Sequence, residues 1–344
     1  MKIKNYQILL TCLLFAGLSA CNGDAPSSEA PADTQTPGLL VTGNPAIDGL
    51  TKKIAEAPND ASLYAARAGA WYENENYDEG IADLEKAIAL DSSKAEYYHV
   101  LSDMYFDYYK SRLGLNVMVK AAEKFPKRIP TLLKLAECQL ILQLHKDALF
   151  TLERIRTIDP QNSEMFFMFG SVFKDMGRKD EAINAYQSAV ENDPELTDAW
   201  INLANLLADK GSPLAGKYFD NALRIDSNNI IALHSKAHYL SNKKDDLEGA
   251  IKLYKKINTI DPQYMDGYYN TGLLYLDMDS LQRAYQSFDI AVKYAPQFPD
   301  AYYHRGVAAE LMGNKAQAIS DYKNVLNLDP DYASAKAGLK RLEK

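Results

Sequence analysis

The chain has 344 residues, of which 47% are hydrophobic and 24% are charged, so it can build a sizeable apolar core. Asp and Glu outnumber Lys and Arg by 46 to 38, and this acidic balance argues against a nucleic-acid partner, which would require a basic face. The length is large for one globular domain but ordinary for an array of repeats.

The first twenty residues have the pattern of a signal peptide. Lys2 and Lys4 precede an apolar run at residues 8–17, which is too short to span a bilayer comfortably. The next residues, Leu-Ser-Ala-Cys at 18–21, resemble the lipobox of bacterial lipoproteins. That resemblance implies cleavage before Cys21 and a lipid on its thiol. Asn22 stands where the family's inner-membrane retention signal has an aspartate, which implies the outer membrane of a Gram-negative cell. The periplasmic face is expected, and the cell surface is the alternative.

The segment after the lipobox predicts a tether. Residues 22–38 are rich in Ala, Pro, Ser, Thr, Asp and Gly and show no apolar periodicity, which is typical of disorder. A flexible chain of this length would hold a folded part on the order of 20–25 Å from the lipid. With Cys12 removed and Cys21 acylated, Cys138 is the remaining cysteine, so no intramolecular disulfide is expected. Its place in an apolar helix predicts a core residue rather than a nucleophile.

Residues 163–196 predict a hairpin of two helices. Apolar residues recur at helical spacing on one face of each helix: Phe166, Phe169, Gly170 and Phe173, then Ala182, Tyr186, Ala189 and Val190. The sequence Gly-Arg-Lys-Asp at 177–180 predicts the turn between them, and Pro194 ends the unit because proline cannot continue a helix.

The rest of the chain is mostly copies of this hairpin. A small residue of the first helix recurs at steps of 33–35 residues, at Ala68, Ser102, Ala136, Gly170, Ala204, Ala237, Gly272 and Gly306. Aromatic or large residues and unit-ending prolines recur with it. This pattern resembles the tetratricopeptide repeat (TPR) family. The resemblance implies an all-α, right-handed superhelical solenoid of eight repeats at residues 61–332, with a capping helix within 39–60 and another at 333–344.

Three repeats depart from the pattern, and one of them is repeat six, which has one extra residue at Asn242 to Asp246. Tyr109 stands at the turn glycine of repeat two. In repeat five, Ser212 is expected to cap the second helix and Pro213 to open it.

In the TPR family, fixed first-helix positions line a concave groove that binds partners. Those positions and three ladder-like asparagines give the predicted groove: His99, Asp103, Phe106, Asp107, Glu137, Phe167, Lys174, Asp175, Asp198, Asn202, Asn205, Asp209, His234, His238, Asp266, Tyr269, Asn270, Asp277, Asp300, Tyr303 and Glu310. Tyr72, Glu73, Glu96, Leu133, Ile201, Leu273 and Val307 occupy further such positions. Acids dominate and Lys174 is nearly alone, which favours a basic or apolar extended segment as ligand. The alternative is that these acids only keep the surface soluble.

The sequence fits other kinds of site less well than this groove. The lysines of the family's carboxylate clamp are missing, so binding of an acidic C-terminus is not expected. His234 and His238 have the spacing of two zinc ligands but lack a third ligand, so neither metal nor cofactor is expected. No phosphate loop or nucleophile elbow occurs, and the repeats leave no room for a catalytic domain.

The resulting hypothesis is a non-enzymatic scaffold at the outer membrane. TPR lipoproteins of this plan serve in envelope assembly, secretion and cell-wall machines, so the expected partners are other envelope proteins, with the membrane bound through lipid on Cys21. The alternative is a groove that binds a glycan or another small ligand through tyrosines. The oligomeric state is left open.

Overall fold

A computed structural model describes residues 42–343; the signal peptide, Cys21 and tether predicted from the sequence lie outside the described residues. The described chain folds into eighteen helices and no strand: α1 (Pro45–Glu56), α2 (Ala61–Glu73), α3 (Tyr77–Leu90), α4 (Ala95–Asp107), α5 (Ser111–Lys124), α6 (Ile129–Ile141), α7 (His145–Ile158), α8 (Ser163–Asp175), α9 (Lys179–Asn192), α10 (Thr197–Asp209), α11 (Ala215–Ile225), α12 (Ile230–Lys244), α13 (Leu247–Ile260), α14 (Met265–Asp277), α15 (Leu281–Tyr294), α16 (Pro299–Leu311), α17 (Lys315–Leu328) and α18 (Ala333–Leu342). Between residues 42 and 343, each of these helices is too short or too polar to cross a bilayer.

Consecutive helices pack in pairs, from α2–α3 to α16–α17, and each pair packs on the next. Such an arrangement is a solenoid, in which each repeat contacts only its neighbours. The helix α1 covers the first pair and α18 covers the last. The all-α solenoid of eight repeats predicted from the sequence is therefore confirmed.

Every repeat has a left-handed residue in the turn between its two helices, and seven of the eight turns share one hydrogen-bond pattern; repeat six differs, because the amide of Asp246 donates to the carbonyl of Leu240. The residues at 75, 109, 143, 177, 211, 245, 279 and 313 all have a left-handed backbone, with φ between 53° and 80°. In repeat two, the amide of Lys110 donates to the carbonyl of Tyr105 and the amide of Tyr109 to that of Phe106. This is a Schellman motif, which satisfies the last carbonyls of the first helix. The motif forms with or without glycine at its left-handed position.

Repeat five differs from its prediction. The helix α11 begins at Ala215, so Pro213 does not open it. The hydroxyl of Ser212 instead accepts from the amide of Leu214, 3.3 Å away, inside a longer turn. As a result α11 has only 11 residues. The next helix, α12, has 15 residues and is longer than the first helices of the other repeats. The longer helix returns the next turn, at Asp245, to the 34-residue spacing.

Small and large residues pack against each other inside each hairpin. A Cβ atom added to Gly170 would lie 2.6 Å from the ring of Tyr186, which is fully buried against it. Gly272 and Phe288 form the same pair in repeat seven. Close packing of this kind leaves no space for a methyl group. Cys138 is also buried, as predicted, and burial raises the pKa of its thiol to about 12.

The aromatic residues of the first helices have a second role that the sequence did not reveal. Tyr64, Trp200 and Tyr268 each donate a hydrogen bond to the carbonyl of a proline six residues earlier, over 2.8–3.2 Å. Each bond ties a first helix to the loop that precedes it. These half-buried rings therefore fix the junction between repeats as well as fill it.

Repeats one and eight contain a buried ion pair at equivalent positions. Arg67 makes two hydrogen bonds of 2.7 Å to Asp83, and Arg305 makes bonds of 2.6 and 3.1 Å to Asp321. Arg305 also binds Asp289, 2.8 Å away on the preceding helix. Arg305 follows Arg67 by 238 residues, and Asp321 follows Asp83 by the same number, which is seven repeat periods.

Candidate binding groove

The residues of the predicted groove lie on seven first helices, α4, α6, α8, α10, α12, α14 and α16. Ten of them are exposed: Asp107, Glu137, Lys174, Asp175, Asp198, Asn205, Asp209, His238, Asp266 and Asp277. Eleven are half-buried: His99, Asp103, Phe106, Phe167, Asn202, His234, Tyr269, Asn270, Asp300, Tyr303 and Glu310. Ile201, one of the further positions, is 3% exposed and belongs to the core, so its assignment to the groove was wrong.

In repeats two and three the predicted acids are neutralised by bases. The ammonium of Lys134 lies 2.6 Å from Asp103 and 3.0 Å from Glu137. Burial lowers the pKa of Lys134, but the two carboxylates outweigh burial and raise it. Arg128 binds Glu96 over 2.6 Å in the same way. The expectation that Lys174 is nearly the lone base of this face is therefore wrong for these repeats.

The half-buried His99 takes part in the same contacts between repeats. Its Nε2 atom lies 3.0 Å from the hydroxyl of Thr131, on the next first helix. Burial lowers the pKa of His99, and the nearby charge of Arg128 lowers it further. The imidazole is thus held in its neutral form at neutral pH.

The groove residues of repeats four and five also contact the neighbouring repeat. His145 lies 2.5 Å from Asp175, and Lys179 lies 3.3 Å from Asp209. Lys174 donates to the side-chain oxygen of Asn202 over 2.7 Å. Because each contact joins residues about one repeat apart, these charges hold successive turns together.

Three acids and one amide of the predicted groove remain open. The side chains of Asp198, Asn205, Asp266 and Asp277 form no hydrogen bond or ion pair with any described residue between 42 and 343. All four are exposed and lie on α10 and α14. The negative charge available to a ligand is therefore concentrated in repeats five and seven.

The asparagines that resemble a peptide-binding ladder are mostly used within the fold. The side-chain amide of Asn202 donates to the carbonyl of Asp198, and that of Asn270 donates to the carbonyl of Asp266. Asn270 also lies 3.5 Å from Nε2 of His234. The side-chain amide of Asn205 forms no such bond with the described residues, so it can still bind a ligand.

His234 lies among aromatic rings. Its imidazole contacts the rings of Tyr254 and Tyr264 edge-on, and burial lowers its pKa. His238, one turn further along α12, is exposed. Within residues 42–343, no three His, Cys, Asp or Glu side chains come close enough to hold a metal ion.

The last two repeats form a network of aromatic rings. Tyr269 contacts Phe298 and His304, and Tyr303 contacts Tyr332 in the loop before α18. Burial raises the pKa of Tyr269 to about 12. These rings contact one another instead of lining a groove that is open to a ligand.

The acids of the last repeat are used as well. Asp300 accepts a hydrogen bond of 2.6 Å from Tyr332. Glu310 binds Arg341 on α18 over 2.6 Å and accepts from Tyr322. These contacts attach the C-terminal helix to the preceding repeat.

Comparisons with known proteins agree with this architecture. The family model for the tetratricopeptide repeat matches residues 299–332, and a model described as TPR repeat matches residues 170–211. The fold is similar to the crystal structure of the APC/C hetero-tetramer Cut9–Hcn1, with a TM-score of 0.53 and 17% identity over 87% of this chain and 58% of that chain. The chain contains tetratricopeptide repeats, and its fold is a TPR solenoid.

Two curated relatives share part of the sequence. The chain is 24% identical over 213 residues to anaphase-promoting complex subunit 7 of Dictyostelium discoideum. It is 28% identical over 138 residues to the protein O-mannosyl-transferase Tmtc3 of Drosophila melanogaster. These matches cover 61% and 40% of this chain but only 36% and 15% of the relatives. They extend over less than two thirds of either relative.

Proposed function

We propose that this protein is a lipid-anchored adaptor that recruits other envelope proteins at the periplasmic face of the outer membrane of a Gram-negative bacterium, within an assembly, secretion or cell-wall machine. One observation carries the proposal: eight stacked repeats fill the described chain behind a lipobox-like sequence that ends in Cys21. A TPR solenoid offers surface rather than a reaction centre, so a binding role without catalysis fits it best. The relative that is a subunit of the anaphase-promoting complex is named for its place in an assembly.

The ligand we propose for the groove is an extended segment with basic residues. Asp198, Asp266 and Asp277 offer carboxylates without a partner in the described part of the chain, and Asn205 offers an amide. Complementary charge raises the rate of encounter and disfavours acidic competitors. The acids of repeats two and three should contribute less to binding this segment, since bases of the chain already neutralise them.

The experiment is affinity purification of the tagged protein from gently solubilised, crosslinked membranes, followed by mass spectrometry. The variant Asp198→Lys with Asp266→Lys should lose a groove partner, whereas the matched variant Glu191→Lys, on the exposed face of α9, should keep it. Cys21→Ala should remove the acyl mass from the N-terminal peptide and release the protein from membranes. An unacylated Cys21 in the wild-type protein would refute the anchor, and equal partner recovery by both lysine variants would refute the groove.

The alternative is a groove that binds a glycan. The tyrosines that would stack on sugars are available only in part, because Tyr269 and Tyr303 pack against other rings. Binding of the full chain to a glycan array would favour this alternative, and no signal at high protein concentration would remove it.

A further inference from the structure

The turns of repeats two and three expose apolar side chains where the other repeats are mostly polar. Tyr109 is 95% exposed at the tip of its turn, Leu113 is 45% exposed in the helix that follows, and Ile141 and Leu144 are 46% and 38% exposed at the turn of repeat three. The residues equivalent to Tyr109 are Glu75, Gln143, Gly177, Gly211, Asp245, Asp279 and Gly313. Those equivalent to Ile141 are charged in six repeats and apolar in repeat eight, where Leu311 is 61% exposed. We call the side chains of Tyr109, Leu113, Ile141 and Leu144 the apolar turn patch.

Neighbouring turns lie side by side, so the members of the apolar turn patch share one edge of the solenoid. Ion pairs between residues about thirty positions apart connect successive turns, such as Lys110 with Asp78 and His145 with Asp175. Leu113 lies in the first turn of α5, and Leu144 directly precedes α7.

Two exposed bases next to the patch have no acidic partner among the described residues. Arg112 and Lys146 are exposed and form no ion pair with the described residues, while Lys110 lies 3.5 Å from Asp78 and over the ring of Tyr108. Asp107 and Asp147 are the acids nearest in sequence, and Asp107 accepts a hydrogen bond from Tyr72. The patch is therefore apolar with two unpaired bases beside it, Arg112 and Lys146, which we call the basic rim.

The described chain also begins on this edge. A four-residue loop joins α1 to α2, so the two helices run in opposite directions, and α2 ends at the turn of repeat one. The start of α1 at Pro45 consequently lies on the same edge as the turns. Twenty-three residues separate Pro45 from Cys21, a chain that can extend over at most roughly 80 Å. A lipid on Cys21 would thus keep this edge within reach of the bilayer.

We propose that the apolar turn patch and its basic rim contact the surface of a lipid bilayer. Tyrosine is favoured at membrane interfaces, where its ring meets the acyl boundary and its hydroxyl stays in water. Leu and Ile add buried apolar area, and Lys and Arg are attracted to headgroup phosphates. Protruding turn tips fit a soft planar surface better than a protein pocket, which would need concave complementarity. The inference rests on the proposed lipid anchor, because the tether brings this edge to the membrane.

The test places a thiol-reactive, environment-sensitive dye on the full mature chain in vesicles of phosphatidylethanolamine and phosphatidylglycerol. Tyr109→Cys and Leu144→Cys are labelled in separate samples, and Asp279→Cys and Ser280→Cys are their matched controls at the equivalent turn of repeat seven. Cys138 is 1% exposed and should not react. Dye at 109 and 144 should shift its emission to the blue and be quenched by brominated lipid, whereas dye at the control positions should behave as in water.

The basic rim is tested in the same assay. The variant Arg112→Gln with Lys146→Gln should weaken contact by roughly fivefold for each charge. Replacing phosphatidylglycerol by phosphatidylcholine should weaken contact as well. Water-like emission at all four positions would overturn the proposal. So would a blue shift that occurs in native membranes and not in pure lipid, because a protein would then cover the patch.

The failure of the lipid anchor gives a different result from the failure of the patch. Loss of the protein from floated vesicles, with no acyl mass on the N-terminal peptide, refutes the anchor. Protein that floats with the vesicles while the dye at 109 and 144 stays in water refutes the patch.

Discussion

Replacing Arg305 by leucine is expected to destabilise the C-terminal repeats strongly. The Asp321 side chain has no exposed surface, and its carboxylate lies 2.6 and 3.1 Å from the Arg305 guanidinium. The substitution leaves this carboxylate buried with only Gln317, 3.1 Å away, as a remaining partner. Removing one member of a buried ion pair costs about 3–5 kcal/mol. A domain is stable by only about 5–15 kcal/mol. This loss should therefore be large enough to unfold the last repeat while the other repeats stay folded.

The matched double variant decides whether the lost charge partner is the cause. Repeat two carries Leu101 and Val117 at the positions of Arg305 and Asp321, so Arg305→Leu with Asp321→Val installs a pair that the chain already uses. Replacing both charges by packed apolar residues is often neutral, and the double variant should lie within about 1.5 kcal/mol of wild type. Lys323→Gln, at an exposed site on the same helix, should change stability by less than about 0.5 kcal/mol.

Urea unfolding followed by circular dichroism gives the free energies, and hydrogen exchange of α16 and α17 shows whether the loss is local. A coupling energy near zero in the double-mutant cycle would refute this reasoning. A cost below about 1 kcal/mol for Arg305→Leu alone would refute it as well, because it would mean that water or another base compensates Asp321.

Three further predictions concern single residues, each measured by urea unfolding. Tyr109→Gly should stabilise by about 1 kcal/mol, since Tyr109 has φ of 57° and glycine adopts this conformation without a Cβ penalty; a loss of stability would contradict it. Thr271→Val should stabilise by about 1 kcal/mol because the buried hydroxyl has no partner in the described chain, whereas Thr131→Val should destabilise because its hydroxyl contacts His99. Burial lowers the pKa of His99, so the unfolded state takes up its proton first and stability should fall as the pH drops below about 6.5; His99→Gln should flatten this slope, and an unchanged slope would exclude His99 as its source.

The fold could be predicted because its cause is repetitive. Small residues such as Gly170 and their large partners such as Tyr186 must recur wherever two helices approach closely, and eight copies of the pattern exceed chance. The left-handed turn position recurs too, but at 109 and 143 it is filled by Tyr and Gln rather than Gly. Pro213 misled the prediction because proline suits both the first turn of a helix and the loop before it.

The open part of the groove could not be predicted from the sequence. Family positions identify which residues face it, but they do not identify which acids already have a partner. Lys134 lies at a first-helix position outside the groove set, yet its long side chain reaches both Asp103 and Glu137. Contacts of this kind join residues about one repeat apart, which a residue-by-residue comparison with a motif does not consider.

The pairing of charges also determines where a partner can gain most from the groove. An acid that already binds a lysine, such as Asp103, must give up that bond before it can bind a basic ligand, so the net gain is small. Asp266 and Asp277 have no such bond to lose, and both lie on α14. Repeats five to seven should therefore select the basic segment, whereas repeats two and three, whose groove acids are closed, present their basic and apolar residues on the turn edge. The two halves of the solenoid would then serve different surfaces, one a protein segment and the other the membrane.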